Sequence, residues 1–464
     1  MKKKKIFILL PDGVGLRNFA YTDFYRNGED RGLELVFWNN SAFDLERLGF
    51  KEIKIQNAKG YPLTDIYKKA RVQIDLNLNC RKFKDKVYES YRFPLQTDSL
   101  ANLIKFIGIR VLTLLYSSES GIEKIRRAIF KFEQKTDYYK NCLEVLKKEK
   151  PDFVFCTNQR TTVALAPILA AEKLGIPTGT FIFSWDNIPK ATLVLEPKYY
   201  FVWSDHMKNE LLSYYSFIAE NQIRVTGTPQ FEMHSPTGKI ESKENFFRSY
   251  NLDLSKKYIC YSGDDITTSP NDPIYLEDTA KAVIELNKKG HALGIIFRRC
   301  PVDFSDRFDE VLKQYQDVIV SIDPKWEKTG NVWNSVLPTK EDMFLQMNTI
   351  AHSEMVINLG SSMVFDFVAF AKPCAYVNYD IPDKFERNRS VKDIYNFVHF
   401  RSMPSKECVL WIDAPEAIEK VITDGLTASE KTVRNAHQWF EKINQQPHNQ
   451  ASIRILKAIE DIIN

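Results

Sequence analysis

Several signatures of common enzyme classes are absent from this sequence. It has no G-x-S-x-G nucleophile motif, no Walker A phosphate loop, no H-E-x-x-H metal motif and no cysteines at zinc-binding spacing. The seven cysteines are scattered singly and none forms a C-x-x-C pair, which predicts reduced, buried thiols in a cytoplasmic protein. Internal repeats and low-complexity tracts are also missing.

Strong charge and long apolar runs are absent as well. The net charge is only +4 over 464 residues, so we expect no nucleic-acid partner. After four N-terminal lysines, the apolar run Ile6–Leu10 is five residues long, which favours a buried first strand over a signal peptide. An apolar content of 44% is typical of a globular protein, and this length predicts two domains.

Short apolar runs alternate with helical patterns over most of the chain, which predicts α/β domains with parallel, doubly wound sheets. We expect an N-terminal domain over residues 1–235, with a helical insertion at about 61–150, and a C-terminal domain over residues 236–464. Two such domains are expected to face each other across a cleft. Hinge motion is expected at residues 230–245.

One segment of the insertion, Leu100 to Tyr116, is strongly apolar but contains Lys105 and Arg110. Two charges in so short a run argue against a membrane span. The pattern favours a helix buried within the insertion. The alternative is a helix that touches a membrane surface or a lipid-linked substrate.

The most informative stretch runs from Met355 to Asp380. An apolar run ends at Gly360, Ser361 and Ser362, and a helical pattern then continues to Lys372-Pro373. A strand, tight loop and helix in this order present backbone N–H groups at the positive end of a helix dipole, and the two hydroxyl groups add donors. The stretch predicts a phosphate-binding loop, with an ordinary serine-capped turn as the alternative.

Three other loops follow predicted strands, where ligands bind in open α/β sheets. The first contains Asp12, Gly13, Gly15 and Arg17, and its two glycines permit close backbone approach. A third glycine is missing, so we do not predict NAD binding. The other two are Ser184–Lys190, with an acid and a base, and Ser262–Asp265 together with Arg298–Pro301.

The sequence Gly360-Ser-Ser-Met-Val-Phe-Asp-Phe-Val-Ala-Phe-Ala-Lys-Pro373, followed by Tyr376-Val-Asn-Tyr-Asp380, resembles the serine-pair motif of CDP-glycerol glycerophosphotransferases and related bacterial surface-glycan transferases. The resemblance is good over residues 352–383 and moderate over 201–231. It implies the GT-B fold, with two Rossmann-like domains, and final helices that return to the N-terminal domain.

The chain departs from that family at two loops. Ser184-Trp-Asp-Asn187 stands where a His-Gly loop is expected, and Arg298-Arg-Cys-Pro301 stands where the family has Arg-x-His-Pro. Because these histidines are absent, we favour a sugar transferase with the same fold over a CDP-glycerol transferase. The chain is also similar in arrangement to bacterial sialyltransferase-like enzymes, which leaves a CMP-linked donor open.

The residue types suggest roles in an inverting, metal-independent glycosyl transfer. Asp186 is the candidate general base, and Lys190, Arg298 and Arg299 are candidates to neutralise the leaving phosphate. For the donor phosphate and nucleotide we predict contacts from Gly263, Gly360, Ser361, Ser362 and Asp366. For the acceptor we predict contacts from Asp12, Gly13, Gly15, Arg17, Trp185 and Asn187. Asp264 and Asp265 lack a third ligand at fixed spacing, so we expect no metal and no other cofactor.

The sequence therefore predicts a glycosyltransferase that moves a sugar from a UDP- or CMP-linked donor to a bacterial surface-glycan or lipid-linked acceptor. We expect it in the cytoplasm, with membrane contact at the inner face as a further expectation. The alternatives are a CDP-alditol polyol-phosphate transferase, a sugar-nucleotide epimerase, and a non-catalytic protein that binds glycans or nucleotide sugars.

Overall fold

The computed structural model describes residues 3–234, 240–328, 336–382 and 390–464. The chain forms two compact units, Met1–Pro229 with Gln450–Asn464, and Gln230–Asn449. We call them the first and second unit. None of the helices in the described ranges combines the length and apolar character that crossing a bilayer requires. Residues 235–239, within the segment 230–245 where hinge motion is expected, lie outside the described ranges.

A seven-stranded parallel sheet forms the centre of the first unit, in the order β3-β2-β1-β4-β5-β6-β7. Its strands are β1 (Lys5–Leu10), β2 (Glu34–Asn39), β3 (Glu52–Lys54), β4 (Phe153–Cys156), β5 (Thr178–Phe181), β6 (Tyr199–Val202) and β7 (Ile223–Val225). The central strands β1 and β4 are almost continuously apolar and buried, as expected where helices cover both faces of a sheet.

The helices of the first unit include a four-helix insertion between β3 and β4. The helices are α1 (Leu16–Phe19), α2 (Phe24–Asp30), the insertion helices α3 (Thr64–Phe83), α4 (Leu100–Leu115), α5 (Glu119–Glu133) and α6 (Asp137–Glu149), then α7 (Leu165–Lys173) and α8 (Asp205–Tyr214). Serine side chains cap α4 and α5, because Ser99 Oγ accepts from Asn102 N (3.2 Å) and Ser118 Oγ accepts from Gly121 N (3.1 Å).

A six-stranded parallel sheet forms the centre of the second unit, in the order β10-β9-β8-β13-β14-β15. Its strands are β8 (Lys257–Ser262), β9 (Leu293–Arg298), β10 (Ile319–Ser321), β13 (Val356–Asn358), β14 (Cys374–Val377) and β15 (Leu410–Ile412), while β11 (Glu327–Lys328) and β12 (Val336–Leu337) form a separate antiparallel pair. The helices are α9 (Lys243–Ser249), α10 (Asp272–Lys288), α11 (Asp309–Gln314), α12 (Lys340–His352), α13 (Met363–Val368), α14 (Val391–Ile394), α15 (Ile418–Thr427) and α16 (Glu430–Ile443).

The last helix, α17 (Ala451–Ile463), belongs to the first unit. It packs against α2, and Arg31 Nε donates to Glu460 Oε2 (3.0 Å). Arg454 Nε donates to the carbonyl of Thr226 (2.6 Å), at the end of β7. The apolar face of α17 is fully buried, including Ile455 and Ile459.

The α/β fold class predicted from the sequence is confirmed, because each unit is built on a parallel sheet with surrounding helices. Two local predictions are wrong. The sequence pattern that begins at Ala42 predicts a helix, but the structure has only a 3₁₀ turn there, at Glu46–Leu48. Helix α4 is not buried, since Ile109 is its one buried residue.

Candidate functional site

Strand order reverses between β1 and β4 in the first unit, which is where open α/β sheets bind their ligands. The loops after these strands are joined by a hydrogen bond from Asn158 Nδ2 to Asp12 Oδ2 (2.8 Å). Asp12 Oδ1 also accepts from Val14 N (3.1 Å). A Cβ atom on Gly15 would lie 2.4 Å from Thr157 Oγ1, so only glycine permits the two loops to approach this closely.

A polar network continues from these loops to the loop after β5. Gln159 Nε2 donates to Asn187 Oδ1 (3.0 Å), and Gln159 Oε1 accepts from Phe183 N (3.2 Å). Asn187 Nδ2 donates to Asp186 Oδ1 (2.8 Å), while Lys190 forms an ion pair with the other oxygen of this carboxylate. The hydrogen bonds hold Asp186 in a defined position.

One buried charge, Asp12, and two half-buried charges, Arg160 and Lys68, accompany this network. Burial raises the pKa of Asp12 despite its two hydrogen bonds and the nearby Arg160. Burial also lowers the pKa of Arg160, and the nearby carboxylates of Asp186 and Asp12 make this decrease smaller. The pKa of Lys68 on α3 is lowered by burial as well. The site therefore concentrates partly desolvated groups of both signs, a pattern common at functional sites.

A cavity of about 480 Å³ lies beside Lys190 and Arg160. One part of its lining is cationic and contains one acidic residue, Asp65. The basic residues of this part are Lys68, Lys69, Lys105, Arg160 and Lys190. Another part is apolar and comes from α3, α4 and the segment before α4; it includes Val72, Phe93, Leu95, Phe106 and Ile109. The cavity therefore suits a ligand that has both an anionic and an apolar part.

The serine loop of the second unit lies at the switch point between β8 and β13. Gly360 adopts a left-handed conformation with φ of 65°, which glycine tolerates. Ser361 N donates to Asn358 Oδ1 (2.9 Å), and Ser361 Oγ accepts from Met363 N (3.3 Å). The Ser362 hydroxyl makes no hydrogen bond within the described ranges, and both serines are half-buried. Ser361 thus shapes the loop, and Ser362 offers an uncommitted donor.

An acidic cluster occupies the adjacent loop after β8. Asp264 N donates to Asp272 Oδ2 (2.7 Å), and Arg307 Nη2 donates to the carbonyl of Asp264 (2.6 Å). Burial, with the charges of Asp265 and Asp272, raises the pKa of Asp264 to about 8. Burial raises the pKa of Asp272 to about 6. Asp264 is therefore largely protonated at neutral pH, when it can donate to an anion beside it.

Arg298, at the end of β9, forms a buried ion pair with Asp342. Arg298 Nη2 lies 2.8 Å from each carboxylate oxygen of Asp342. Asp342 Oδ1 also accepts from Lys325 N (2.8 Å), and Asp342 Oδ2 accepts from Trp326 Nε1 (2.7 Å). Arg298 Nη1 is buried without a hydrogen-bond partner in the described part of the chain. Arg299 donates to the carbonyl of Ser305. Both arginines thus already hold neighbouring segments in place.

Asp366 is buried one turn into α13, where its Oδ1 lies 3.0 Å from His234 Nε2. His234 is also buried, and its carbonyl accepts from His448 Nε2 (3.0 Å). These contacts connect α13 to residues at both ends of the second unit's sequence. They give Asp366 a structural role in joining these segments.

The structure brings several predicted site residues together within each unit. In the first unit, Asp12, Asp186, Asn187 and Lys190 share one polar region, Trp185 is buried beside Asp186, and Gly13, Gly15 and Arg17 lie in the loop and helix after β1. In the second unit, Gly263 N donates to the carbonyl of Arg298 (2.9 Å), which joins the loops after β8 and β9. Whether each residue contacts a ligand stays a prediction.

Sequence reasoning missed the loop after β4, which supplies Asn158, Gln159 and Arg160. The signal was present, because Thr157–Arg160 is a polar run directly after a buried parallel strand. Lys68 was missed because it lies in the second turn of the long helix α3, and nothing local in the sequence distinguishes it from a surface lysine.

Two parallel-sheet units of this kind are typical of the GT-B class of fold. A protein from Listeria monocytogenes assigned as a UDP-N-acetylglucosamine 2-epimerase is 13% identical, with a TM-score of 0.57 over 100% of this chain and 97% of that one. The complex of Staphylococcus aureus MnaA with UDP is 15% identical, with a TM-score of 0.53 over 99% and 97% of the two chains.

The UDP-GlcNAc 2-epimerase of Methanocaldococcus jannaschii is also 15% identical, with a TM-score of 0.53 over 98% of this chain and 99% of that chain. No protein-family model matches the chain, and a search of curated proteins finds no match. At these identities the likeness establishes the fold, and the function has to be argued from the residues.

Proposed function

We propose that the protein is a GT-B-type glycosyltransferase that uses a nucleotide-activated sugar, with UDP or CMP as the nucleotide. The observation that carries this proposal is the cavity beside Lys190 and Arg160, because it offers a place for a second substrate. A transferase needs such a place for its acceptor, whereas an enzyme that rearranges one nucleotide sugar does not. The cationic and apolar lining favours a lipid-linked acceptor that carries phosphate.

In this proposal, the second unit holds the donor phosphate at the serine loop. The hydroxyl of Ser362 and the N–H groups at the start of α13 donate to the phosphate oxygens. The protonated carboxyl of Asp264 is a further donor in the neighbouring loop. Arg298 and Arg299 act mainly by positioning the loop after β9, because their guanidinium groups already bind carboxylate and carbonyl oxygens.

The first unit holds the acceptor and supplies the base. Asp186 takes the proton of the acceptor hydroxyl, the acceptor oxygen bonds to the anomeric carbon, and the bond from that carbon to the donor phosphate breaks. The donors of the serine loop stabilise the negative charge that develops on the leaving phosphate. Lys190 and Arg160, which line the cavity of the first unit, bind the phosphate carried by the acceptor. The ion pair between Lys190 and Asp186 has to open as the hydroxyl binds.

The second candidate is a sugar-nucleotide epimerase. This chain is similar to three solved structures over almost the full length of each chain, and this similarity favours the epimerase. Two of the three structures are described as UDP-GlcNAc 2-epimerases. An epimerase would act on a UDP-sugar without an acceptor. In this reading the first unit's cavity would bind a regulator or remain unused.

A donor screen distinguishes the two candidates. Purified protein is incubated with UDP- and CMP-sugars in D₂O, with and without a polyprenyl-phosphate-linked saccharide acceptor. We expect nucleotide release only when the acceptor is present. A change of the UDP-sugar without acceptor, with deuterium entering the sugar at C2 by NMR, would instead establish the epimerase and reject the transferase.

Replacing Ser361 and Ser362 together with alanine is expected to weaken nucleotide binding about 10- to 100-fold, because two hydrogen-bond donors to a charged phosphate are lost. Isothermal titration calorimetry with UDP and CMP measures the change. Ser362→Ala alone should account for much of it, since this hydroxyl has no structural hydrogen bond within the described ranges.

Ser321→Ala is the matched control, because Ser321 is an exposed serine at the end of the edge strand β10 of the same sheet. Its affinity should equal that of the wild type. If the double variant binds both nucleotides as tightly as the control, the serine loop does not hold the phosphate.

A further inference from the structure

Helix α4 exposes a continuous apolar face. Seven of its side chains have 41% to 79% of their surface exposed: Leu100, Leu103, Ile104, Ile107, Val111, Leu114 and Leu115. At 100° per residue these positions fall within about a third of the helix circumference. Scattered exposed leucines need no explanation, but a stripe of this length on one helix marks an interaction surface.

The face of α4 opposite the exposed stripe packs against α3. Ile109 lies on that face and is buried with residues of α3 and α5. Phe106 and Lys105 line the cavity of the first unit. The helix therefore has one face directed to the protein interior and the cavity, and one apolar face without a partner among the described residues.

The charge around α4 is strongly positive. Residues 61–150 contain 19 Lys and Arg against 11 Asp and Glu, a net charge of +8, whereas the rest of the chain carries −4. Helix α4 contains Lys105 and Arg110 and no acidic residue. The positive charge of the chain is thus concentrated in the insertion that presents the apolar face.

We propose that this face of α4 binds an anionic lipid bilayer, with the helix lying in the plane of the interface. Apolar side chains enter the boundary between headgroups and acyl chains, and the surrounding cations attract anionic headgroups. A second copy of the chain fits less well, because pairing two such faces would bring two insertions of net charge +8 together. The proposal concerns bilayer binding and is independent of the reaction catalysed.

The test uses the full chain and vesicles of phosphatidylcholine, alone or mixed with phosphatidylglycerol, in a co-sedimentation assay. We expect binding to the anionic vesicles that weakens at high salt, and little binding to the neutral ones. The variant with Ile104→Gln and Ile107→Gln should partition about tenfold or more weakly, because two apolar side chains no longer enter the bilayer. Both residues are exposed, so the fold should be retained, which circular dichroism checks.

The control variant carries Leu254→Gln and Ile266→Gln, two exposed apolar residues of the second unit, and should bind like the wild type. Equal binding by the α4 variant and the control, or no binding by the wild type, would overturn the proposal. Sedimentation velocity provides the remaining arm. A wild-type dimer that the α4 variant dissociates, without vesicle binding, would show that a second copy covers the face.

Discussion

Replacing Asp186 with asparagine is expected to reduce sugar transfer by about 10²- to 10⁴-fold, the range typical of losing a positioned general base. Asparagine keeps the shape and can still accept from Asn187 Nδ2, so the polar network should persist. Nucleotide affinity should change little, because we assign the donor phosphate to the serine loop of the second unit. Initial rates of nucleotide release with acceptor, and calorimetry without it, measure the two effects.

Ser184→Ala is the matched control for this prediction, since Ser184 donates to the same carboxylate without being a candidate base. It should lose only a small part of the activity. Asp12→Asn tests the competing assignment, in which Asp12 is the base, because burial raises the pKa of this carboxyl group. Full activity in Asp186→Asn together with loss in Asp12→Asn would transfer the role of base to Asp12.

Replacing Asp342 with alanine is expected to destabilise the second unit by about 3–5 kcal/mol, because Arg298 would be left as a buried charge without its partner. The Trp326 indole N–H and the Lys325 backbone N–H would also lose their acceptors. Urea unfolding followed by circular dichroism measures the change. If the two units unfold separately, the transition of the second unit should move to lower urea concentration.

A double variant distinguishes the lost ion pair from lost packing. Combining Arg298→Met with Asp342→Leu replaces both charges by apolar groups of similar size and should recover the part of the stability that the unpaired Arg298 charge costs. The N–H groups of Lys325 and Trp326 stay without their acceptor in this variant. Nucleotide affinity of the refolded double variant then tests the phosphate role suggested for Arg298. An unchanged affinity would leave this arginine with a structural role alone, and a stable Asp342→Ala would contradict the importance of the pair.

Much of the fold could be predicted from local patterns. The uninterrupted apolar runs Phe153–Cys156 and Tyr199–Val202 each predict a buried parallel strand, and the strands β4 and β6 have these bounds. Ser204, which precedes a helical pattern, predicts a helix start, and its Oγ accepts from Met207 N (3.3 Å) at the start of α8. Strand β15 was missed although Cys408–Ile412 is an uninterrupted apolar run that ends at Asp413, the same signal as for the other buried strands.

The exposure of α4 could not be predicted in the same way. An apolar helix within a soluble chain is usually buried, and the sequence does not say which elements pack against it. Only the placement of Ile109 against α3 and α5 shows that the remaining apolar residues face outward. The sequence pattern predicts the helix itself, whereas the exposure of its side chains depends on contacts between distant segments.

The residues of the candidate site could likewise be predicted only in part. Loops that follow strands could be predicted because they depend on topology, and Asp186 and Ser362 lie in such loops. The partners of Arg298 and Asp366 could not, because Asp342 and His234 are distant in sequence. The sequence does not distinguish a charged residue near a strand end that binds a ligand from one that binds another side chain.

The position of α17 affects how the protein is made. The first unit contains residues from both ends of the sequence, so a ribosome releases the final helix only after the whole second unit has been synthesised. Until then, the surface on α2 that α17 covers stays open to water, and chaperones have a period in which to bind it. Expression of residues 1–229 alone would make that incomplete state permanent, so an isolated first unit should include residues 450–464 as a second segment.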